Sequence, residues 1–130
     1  MNDSRRWFDA YIDAFNAPDW DRLMDFYHPD ILFEGRTGVR EGRDALVTFY
    51  KMLKGRVHER MEILSFVGTA DHIMAEVRVH IEPLDDWPDF PTGALRKGQK
   101  LQSVNFMFYD MMDGRITRLR AAPFRAREAA

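Results

Sequence analysis

Three ionisable side chains alternate with apolar residues in HIMAEVRVHIEP, residues 72–83. Glu76, Arg78 and His80 share one side of a period-two pattern, which is typical of a half-buried β-strand. Residues two apart on a strand are separated by about 6.5 Å, so Arg78 would lie near both of the others. Because histidine titrates near neutrality, His80 is a candidate general base or acid whose pKa the other two would set. The pattern alone favours a solvated face, and a ligand-facing one is the alternative.

Two further side chains could bind an oxygen atom of a ligand. Tyr11 lies on the apolar stripe of the first predicted helix, where its hydroxyl either finds a partner in the core or points into a cavity. Asn105 lies in the middle of the apolar segment SVNFMFY, and burying an amide is costly unless something bonds to it. Tyr11, water and a ligand are all possible partners for that amide.

Composition limits the class of protein. The chain has 130 residues, of which 45% are hydrophobic, so residues 1–130 are expected to form a single domain with its own core. A net charge of -2 gives no basic footprint, which argues against nucleic acid and anionic membranes as partners. Cysteine is absent, and no apolar run approaches signal-peptide or membrane-spanning length. We therefore expect a soluble, cytoplasmic protein.

Hydrophobic periodicity predicts helices first and strands afterwards. The first helix ends at residues 16–18, Asp19 caps a second helix, a short strand covers 31–34 and a third helix covers 43–54. Four strands follow, at about 58–68, 72–82, 100–111 and 114–122, and the Asp113-Gly114 pair predicts a tight hairpin. The order α-α-β-α-β-β-β-β is typical of the α+β class.

Two features suggest contacts beyond the core. The strand at 103–112 is apolar on both faces, and three helices can cover only one face, so we expect the outer face to pack on a second copy in a homodimer. The long segment at 83–100, which contains Trp87, is interpreted as a lid over a site, a partner contact or a disordered flap.

The sequence gives no indication of a metal or cofactor site. Cysteine ligands are absent, and the two histidines of the strand at 72–82 are eight residues apart, about 27 Å along a straight strand. Gly35 and Gly38 are interpreted as turn residues rather than as parts of a phosphate loop. We therefore expect no metal and no cofactor.

Three segments resemble the nuclear transport factor 2-like, or SnoaL-like, superfamily, which includes ketosteroid isomerases, polyketide cyclases and limonene epoxide hydrolases. The segments are YIDAFNAPDWDRLMDFYHPDILFEG, GRDAL and FYDMMDGRITRLRAAPF, at 11–35, 42–46 and 108–124. The resemblance implies a cone-shaped, curved antiparallel sheet with three helices on its concave side. It does not define the reaction, since this fold carries many chemistries.

The resemblance also implies roles for individual positions. Tyr11 matches the oxyanion-hole tyrosine of the isomerases and Asn105 the position of their protonated acid, whereas Gly35 occupies the position of their base. Ala121 occupies the position of an essential acid of the epoxide hydrolases. The resemblance further implies that the parity of Glu76, Arg78 and His80 points into the cone.

The sequence thus predicts a pocket for a small apolar molecule bearing a carbonyl or hydroxyl group. We expect cofactor-free isomerase, cyclase or dehydratase chemistry, in which Tyr11 and Asn105 bind the oxygen and His80, tuned by Arg78, moves the proton. A non-catalytic ligand-binding or dimerisation module and an epoxide hydrolase-like enzyme are the alternatives. The expected substrate-binding residues are Glu76, Phe15, Glu34, Met107, Tyr109, Leu119 and Trp87.

Overall fold

The computed structural model describes residues 3–130, in which helices and strands follow the α+β order. The helices are α1 (Ser4–Asn16), α2 (Trp20–Asp25) and α3 (Arg43–Arg56). The strands are β1 (Tyr27–Gly35), β2 (Gly38–Glu41), β3 (Val57–Gly68), β4 (His72–Pro83), β5 (Leu101–Met112) and β6 (Arg115–Ala129). The expected cone fold of the superfamily is confirmed, with three helices on a curved, unclosed sheet.

The end of α1 is fixed to the sheet by an amide. Phe8, Tyr11, Ile12 and Phe15 form the buried stripe of this helix, which ends two residues before Pro18. Asn16, its last residue, donates from Nδ2 to the Met61 carbonyl oxygen at 2.8 Å and accepts from the Met61 amide nitrogen at 2.7 Å. This pair of hydrogen bonds ties the helix to the middle of β3.

Helices α2 and α3 begin with different signals. Asp19 caps α2, as expected, since its carboxylate accepts a hydrogen bond from the Arg22 backbone nitrogen at 3.2 Å. Gly42 precedes α3 with a φ of 91°, a left-handed conformation that favours glycine. Leu46, Val47, Tyr50 and Leu53 then form the buried stripe of α3.

The sheet is mixed rather than wholly antiparallel. Its strand order is β2-β1-β6-β5-β4-β3, and every neighbouring pair is antiparallel except β1 and β6. The β5–β6 hairpin turns at Asp113 and Gly114, both with positive φ, as the predicted tight turn requires. The expectation of a wholly antiparallel sheet is therefore wrong for one pair of strands, β1 and β6. These two strands are far apart in the sequence, so no hairpin joins them.

Strand lengths also differ from those expected. β1 begins at Tyr27 rather than at 31, and β2 was not expected, because residues 36–41 appeared to be a glycine-rich turn. The last strand continues to Ala129, past Pro123, by pairing with β5 through several register shifts. A proline weakens the strand pattern, but its missing N–H is tolerated at such irregular pairings.

The main core lies between the helices and the inner face of the sheet, and a smaller apolar cluster lies beside it. The smaller cluster joins Leu53 and Val57, at the α3–β3 junction, to Phe90 and Leu95 of the segment between β4 and β5. Apolar packing on the inner face of the sheet therefore continues beneath the long 84–100 segment. No helix among residues 3–130 is long and apolar enough to cross a membrane.

Candidate functional site

A cavity of about 160 Å³ opens between the helices and the inner face of the sheet. Its wall is mainly apolar, formed by side chains that include Phe15, Phe33, Phe49, Met61, Val79 and Met107. An apolar cavity of about 150 Å³ is large enough to hold a benzene molecule. The space therefore suits a molecule about the size of one ring.

The inward face of β4 is the apolar one. Val77 and Val79 are buried in the core, and Val79 and Ile81 line the cavity. Neighbouring side chains on a strand point to opposite faces, so Glu76, Arg78 and His80 lie on the outer face. The expectation that these three side chains enter the cone is therefore wrong. The period-two pattern by itself favoured a solvated face for these residues, which is correct. The family resemblance assigned the inward positions one residue away from where they lie, and such a shift reverses the face of every side chain.

On the outer face, Arg78 and His80 share one carboxylate. Glu62 Oε1 accepts from Arg78 Nη1 at 3.2 Å and lies 3.1 Å from His80 Nε2. The His80 hydrogen bond, and then Arg78, hold the pKa of Glu62 below its usual range. This triad is a partly exposed ion-pair cluster across β3 and β4, remote from the cavity wall.

The other expected site residues divide into two groups. Tyr11, Phe15, Asn105 and Met107 line the cavity, as expected of pocket residues. Five others do not belong to its wall: Glu76, Glu34, Tyr109, Leu119 and Trp87. These positions are corrections to the predicted set of binding residues.

Each of the corrected residues has an evident structural contact. Glu34 accepts a hydrogen bond from Arg118 at 2.7 Å, and Glu76 accepts one from Ser65 at 3.2 Å. Tyr109 and Leu119 are fully buried core residues. Trp87 packs edge-on against Phe90 in the long segment, with ring centroids 5.0 Å apart. Two of them contact residues of the cavity wall: Tyr109 packs on Tyr11, with ring centroids 5.8 Å apart, and Trp87 packs on Phe90.

A carboxyl group that the sequence analysis overlooked lies in the cavity wall. Glu59 faces inward from β3 between Val57 and Met61, and its Oε1 atom is shielded from solvent without a hydrogen-bond partner in the described part of the chain. Burial raises the pKa of Glu59 to about 7, while the charge of Lys54 opposes that rise. The sequence carried a signal, because Glu59 is the one charged residue in the apolar alternation class of that strand.

Lys54 is close to Glu59 without forming an ion pair with it. Its Nζ donates to the carbonyl oxygen of Phe15 at 2.6 Å and to that of Glu59 at 3.4 Å. Partial burial lowers the pKa of this lysine. The ammonium group therefore provides a favourable field for the Glu59 carboxylate while its own hydrogen bonds hold the end of α1.

A cluster of buried tyrosine hydroxyls lies beside the cavity. The Tyr11 and Tyr27 hydroxyl oxygens are 2.8 Å apart, and the ring centroids of Tyr27 and Tyr50 are 6.5 Å apart. Burial, followed by the negative charge of Glu59, raises the pKa of Tyr50, so its proton is firmly held. Tyr11 and Tyr50 both line the cavity. The hydroxyls therefore form a neutral donor network close to Glu59.

Asn105 adds a polar group to the opposite wall. Its side chain lines the cavity and has no hydrogen-bond partner among residues 3–130. Of the three possible partners for this amide, Tyr11 is not bonded to it there, since the Tyr11 hydroxyl bonds to Tyr27. The Asn105 amide is therefore available to a ligand oxygen.

The segment between β4 and β5 folds over the cavity rather than forming a disordered flap. Trp87 and Leu95 form a β-bridge, while Phe90 and Thr92 line the cavity. Arg127 of β6 donates to Thr92 Oγ1 at 3.0 Å and to the Gly93 carbonyl oxygen at 2.9 Å. This arrangement corresponds to the lid interpretation of residues 84–100.

Within residues 3–130, no group of three histidine, aspartate or glutamate side chains is arranged to hold a metal ion. The cavity contains one acid, Glu59, and no histidine among its lining residues. What this arrangement supplies is a carboxyl group with a near-neutral pKa, neutral hydrogen-bond donors and an apolar wall. Such a set suits the removal and return of a proton.

Sequence comparison identifies a family match. A model of a SnoaL-like domain matches residues 8–119, which include α1 and most of the sheet. A search of curated proteins gives no match. The family model supplies the classification of the chain, whereas the reaction has to be argued from the cavity itself.

Solved structures share this architecture. A proposed polyketide cyclase from Xanthomonas campestris pv. campestris is 25% identical, with a TM-score of 0.77 over 90% of this chain and 87% of that chain. A SnoaL-like polyketide cyclase from Agrobacterium tumefaciens is 21% identical, with a TM-score of 0.75 over 95% and 92%. An LEH-like epoxide hydrolase from M. tuberculosis is 18% identical, with a TM-score of 0.72 over 91% and 80%. The last two likenesses show the fold alone.

Proposed function

This chain belongs to the family of SnoaL-like domains, and from that premise we propose a cofactor-independent enzyme that moves a proton on a small, largely apolar molecule bearing a carbonyl or hydroxyl group. The observation that carries the proposal is the Glu59 carboxyl in the apolar cavity, where burial raises its pKa to about 7. A base with a pKa near the working pH combines an ionised fraction with useful basicity. This acid replaces His80 as the proposed proton-transfer group.

The proposed step begins with ionised Glu59 removing a proton from carbon next to a carbonyl group. The electron pair moves onto the carbonyl oxygen, and the developing negative charge is stabilised by hydrogen bonds from Asn105 and the hydroxyl network of Tyr11 and Tyr50. Where a carbon–carbon double bond adjoins that carbon, a dienolate forms, and returning the proton from Glu59 to the far end of the double bond completes an isomerisation. The same first step also begins an aldol-type cyclisation or an elimination of water.

Glu59 supplies the carboxyl group that two positions of the family pattern lack in this chain. Gly35 and Ala121 both line the cavity, where the resemblance would put the base of the isomerases and an acid of the epoxide hydrolases. A side chain added at Gly35 would meet the Phe33 ring at 3.0 Å, so that position has little room for a carboxylate. Glu59 brings a carboxyl group into the same cavity from β3.

Solvent deuterium exchange tests this proposal without a known substrate. Acetophenone, 1-indanone and cyclohexanone are incubated with the protein in deuterated water, and loss of the α-proton signals is followed by NMR. We expect measurable catalysis of exchange on at least one ketone, and Glu59→Gln should reduce it by about 10²- to 10⁴-fold. Glu62→Gln is the matched control, because Glu62 lies on the outer face of the same strand.

The outcomes separate the enzyme from a binding module. Equal exchange by the protein and by Glu59→Gln would contradict the role of Glu59. Failure of the protein to accelerate exchange on any of the ketones would favour the non-catalytic ligand-binding module. Epoxide hydrolysis is disfavoured by the two positions that resemble those enzymes. Arg78 lies on the outer face, and Ala121, at the position of an essential acid, contributes only a methyl group to the cavity.

A further inference from the structure

Two arginines border the cavity without an acidic partner. Arg36, in the turn between β1 and β2, and Arg127, near the end of β6, are both lining residues. In the described part of the chain, neither forms an ion pair with an aspartate or glutamate. Other arginines, such as Arg118 and Arg120, have carboxylate partners within 2.9 Å. The cavity border therefore carries two guanidinium groups that no carboxylate of the described residues neutralises.

The two charges also act on one another. Partial burial, and after it the positive charge of Arg36, lower the pKa of Arg127. Arg127 uses two donor bonds to hold Thr92 and Gly93, which leaves three of the five guanidinium N–H donors. Arg36 is exposed and makes no hydrogen bond in the described residues. The rim thus has unused donors and a local excess of positive charge.

Among the charged side chains that line the cavity, the arginines are opposed by a single acid. That acid is Glu59, whose burial favours its neutral form at pH values below about 7. An anion at the rim would reduce the repulsion between Arg36 and Arg127, whereas an anion deep in the apolar cavity would face Glu59 and lose its hydration. The charge distribution therefore distinguishes the rim from the interior.

We propose that the ligand of this cavity carries a carboxylate that Arg36 and Arg127 hold at the rim while an apolar ring enters the cavity. Arginine suits this role because its planar fork pairs with both oxygens of a carboxylate. This proposal rests on the proposed function only in taking the cavity as the substrate site. It adds that the substrate is a small organic acid and that its reacting carbon lies inward, toward Glu59.

Paired probes isolate the contribution of the charge. Benzoate and benzamide have nearly the same shape, as do phenylacetate and phenylacetamide, but only the acids carry a negative charge. Binding is followed by NMR at pH 7 in protein labelled with ¹³C-methyl methionine, since Met61 and Met107 line the cavity. We expect each acid to bind about tenfold or more tightly than its amide, and added salt should reduce this preference.

Variants test whether the arginines are responsible. Arg36→Gln and Arg127→Gln should each reduce the preference for acid over amide, even if Arg127→Gln also loosens the lid and weakens both ligands. Arg125→Gln is the matched control, because Arg125 lies in the same strand but outside the cavity wall, with its guanidinium 5.2 Å from the Phe124 ring. This control should keep the full preference.

Three results would overturn the proposal: equal binding of acids and amides, a preference that persists when both arginines are replaced, or no acid binding at millimolar concentration. The Glu59→Gln variant keeps this test separate from that of the proton-transfer proposal. It should lose deuterium exchange yet retain the preference for acids, because the rim arginines remain. Loss of exchange activity with retained preference would thus count for both proposals, and retained exchange would count against the role of Glu59 alone.

Discussion

The hydroxyl oxygens of Tyr11 and Tyr27 lie 2.8 Å apart in a part of the core where both rings are fully buried. Tyr50 lies beside Tyr27, with ring centroids 6.5 Å apart. Tyr109 lies close by, with its ring 5.8 Å from that of Tyr11, yet its hydroxyl has no partner in the described residues. The tyrosine hydroxyl is therefore hydrogen-bonded at Tyr11 and Tyr27 but has no partner in the described residues at Tyr109.

This difference predicts opposite effects of removing a single oxygen atom. Tyr27→Phe leaves the buried Tyr11 hydroxyl without its partner and should reduce the free energy of unfolding by about 1 to 3 kcal/mol. Tyr109→Phe removes a buried group that is already unsatisfied, so the free energy of unfolding should stay constant or rise. Urea denaturation of the two variants measures both effects. A Tyr109→Phe variant as unstable as Tyr27→Phe would contradict the hydrogen-bond assignment.

The lid gives a second prediction, centred on a glycine. Gly93 has a φ of 124°, and a Cβ atom there would come within 2.9 Å of Arg127 Nη2. Gly93→Ala therefore strains the backbone and displaces the guanidinium from Thr92 and the Gly93 carbonyl. Amide hydrogen exchange over residues 87–95 should become faster, reflecting a local loss of about 1 to 3 kcal/mol.

Gly98 supplies the control for this effect. It also has a positive φ, 81°, but a Cβ atom there would meet nothing within 4 Å. Gly98→Ala thus carries backbone strain without disturbing Arg127, and exchange over residues 87–95 should accelerate less. Equal acceleration in both variants would mean that Arg127 does not fasten the lid.

The sequence was sufficient for the fold because the relevant signals were local. Buried stripes on α1 and α3, the Asp19 cap and the Asp113-Gly114 turn each act within a few residues, and the structure has them where they were expected. The parallel pairing of β1 with β6 has no local signal, since it joins segments more than 80 residues apart. The short strand β2 was overlooked because a four-residue edge strand differs little from a turn.

The candidate site was harder to predict because it depends on the face of each strand. On β5 the inward parity of Asn105 and Met107 was predicted correctly. On β4 a one-residue difference in register reversed the face of His80, and the polar side chains then appeared to line the cavity. Glu59 was missed because charged residues on strands usually face water, and it lies between the polar His58 and Arg60.

Exposed apolar side chains on part of the outer face of the sheet lead to a prediction about assembly. Phe106 and Phe124 are 47% and 54% exposed, with ring centroids 5.0 Å apart. Met74 is exposed on the same face. Exposed apolar side chains of this kind favour a second copy as their cover, so we expect a homodimer at micromolar concentration. Light scattering should give twice the mass of one chain.

A charge on this face should separate the two copies. Phe106→Asp is expected to give the mass of a monomer, because a dimer would bury two carboxylates near its twofold axis. Val39→Asp is the control, since Val39 is 63% exposed on the short edge strand β2. A monomeric parent protein, or a dimer that survives the Phe106 change, would argue against this interface.

The raised pKa of Glu59 has a thermodynamic consequence that can be measured without any ligand. Burial raises this pKa from 4.5 to about 7, so the folded protein retains a proton that the unfolded chain releases between these pH values. The free energy of unfolding should therefore fall as the pH rises through that window, by at most about 3 kcal/mol, and level off above it. Glu59→Gln cannot ionise and should lack this fall.

Urea denaturation at pH 5 and pH 8 measures the difference for the parent protein and Glu59→Gln. Other titrating groups contribute equally to both proteins, so the change in their stability difference between the two pH values isolates Glu59. Glu41→Gln, at an exposed position on β2, should behave like the parent. If Glu59→Gln shows the same pH dependence as the parent, Glu59 titrates as an ordinary surface carboxylate. The proposed base would then be fully ionised well below neutrality and too weak for the proton transfer assigned to it.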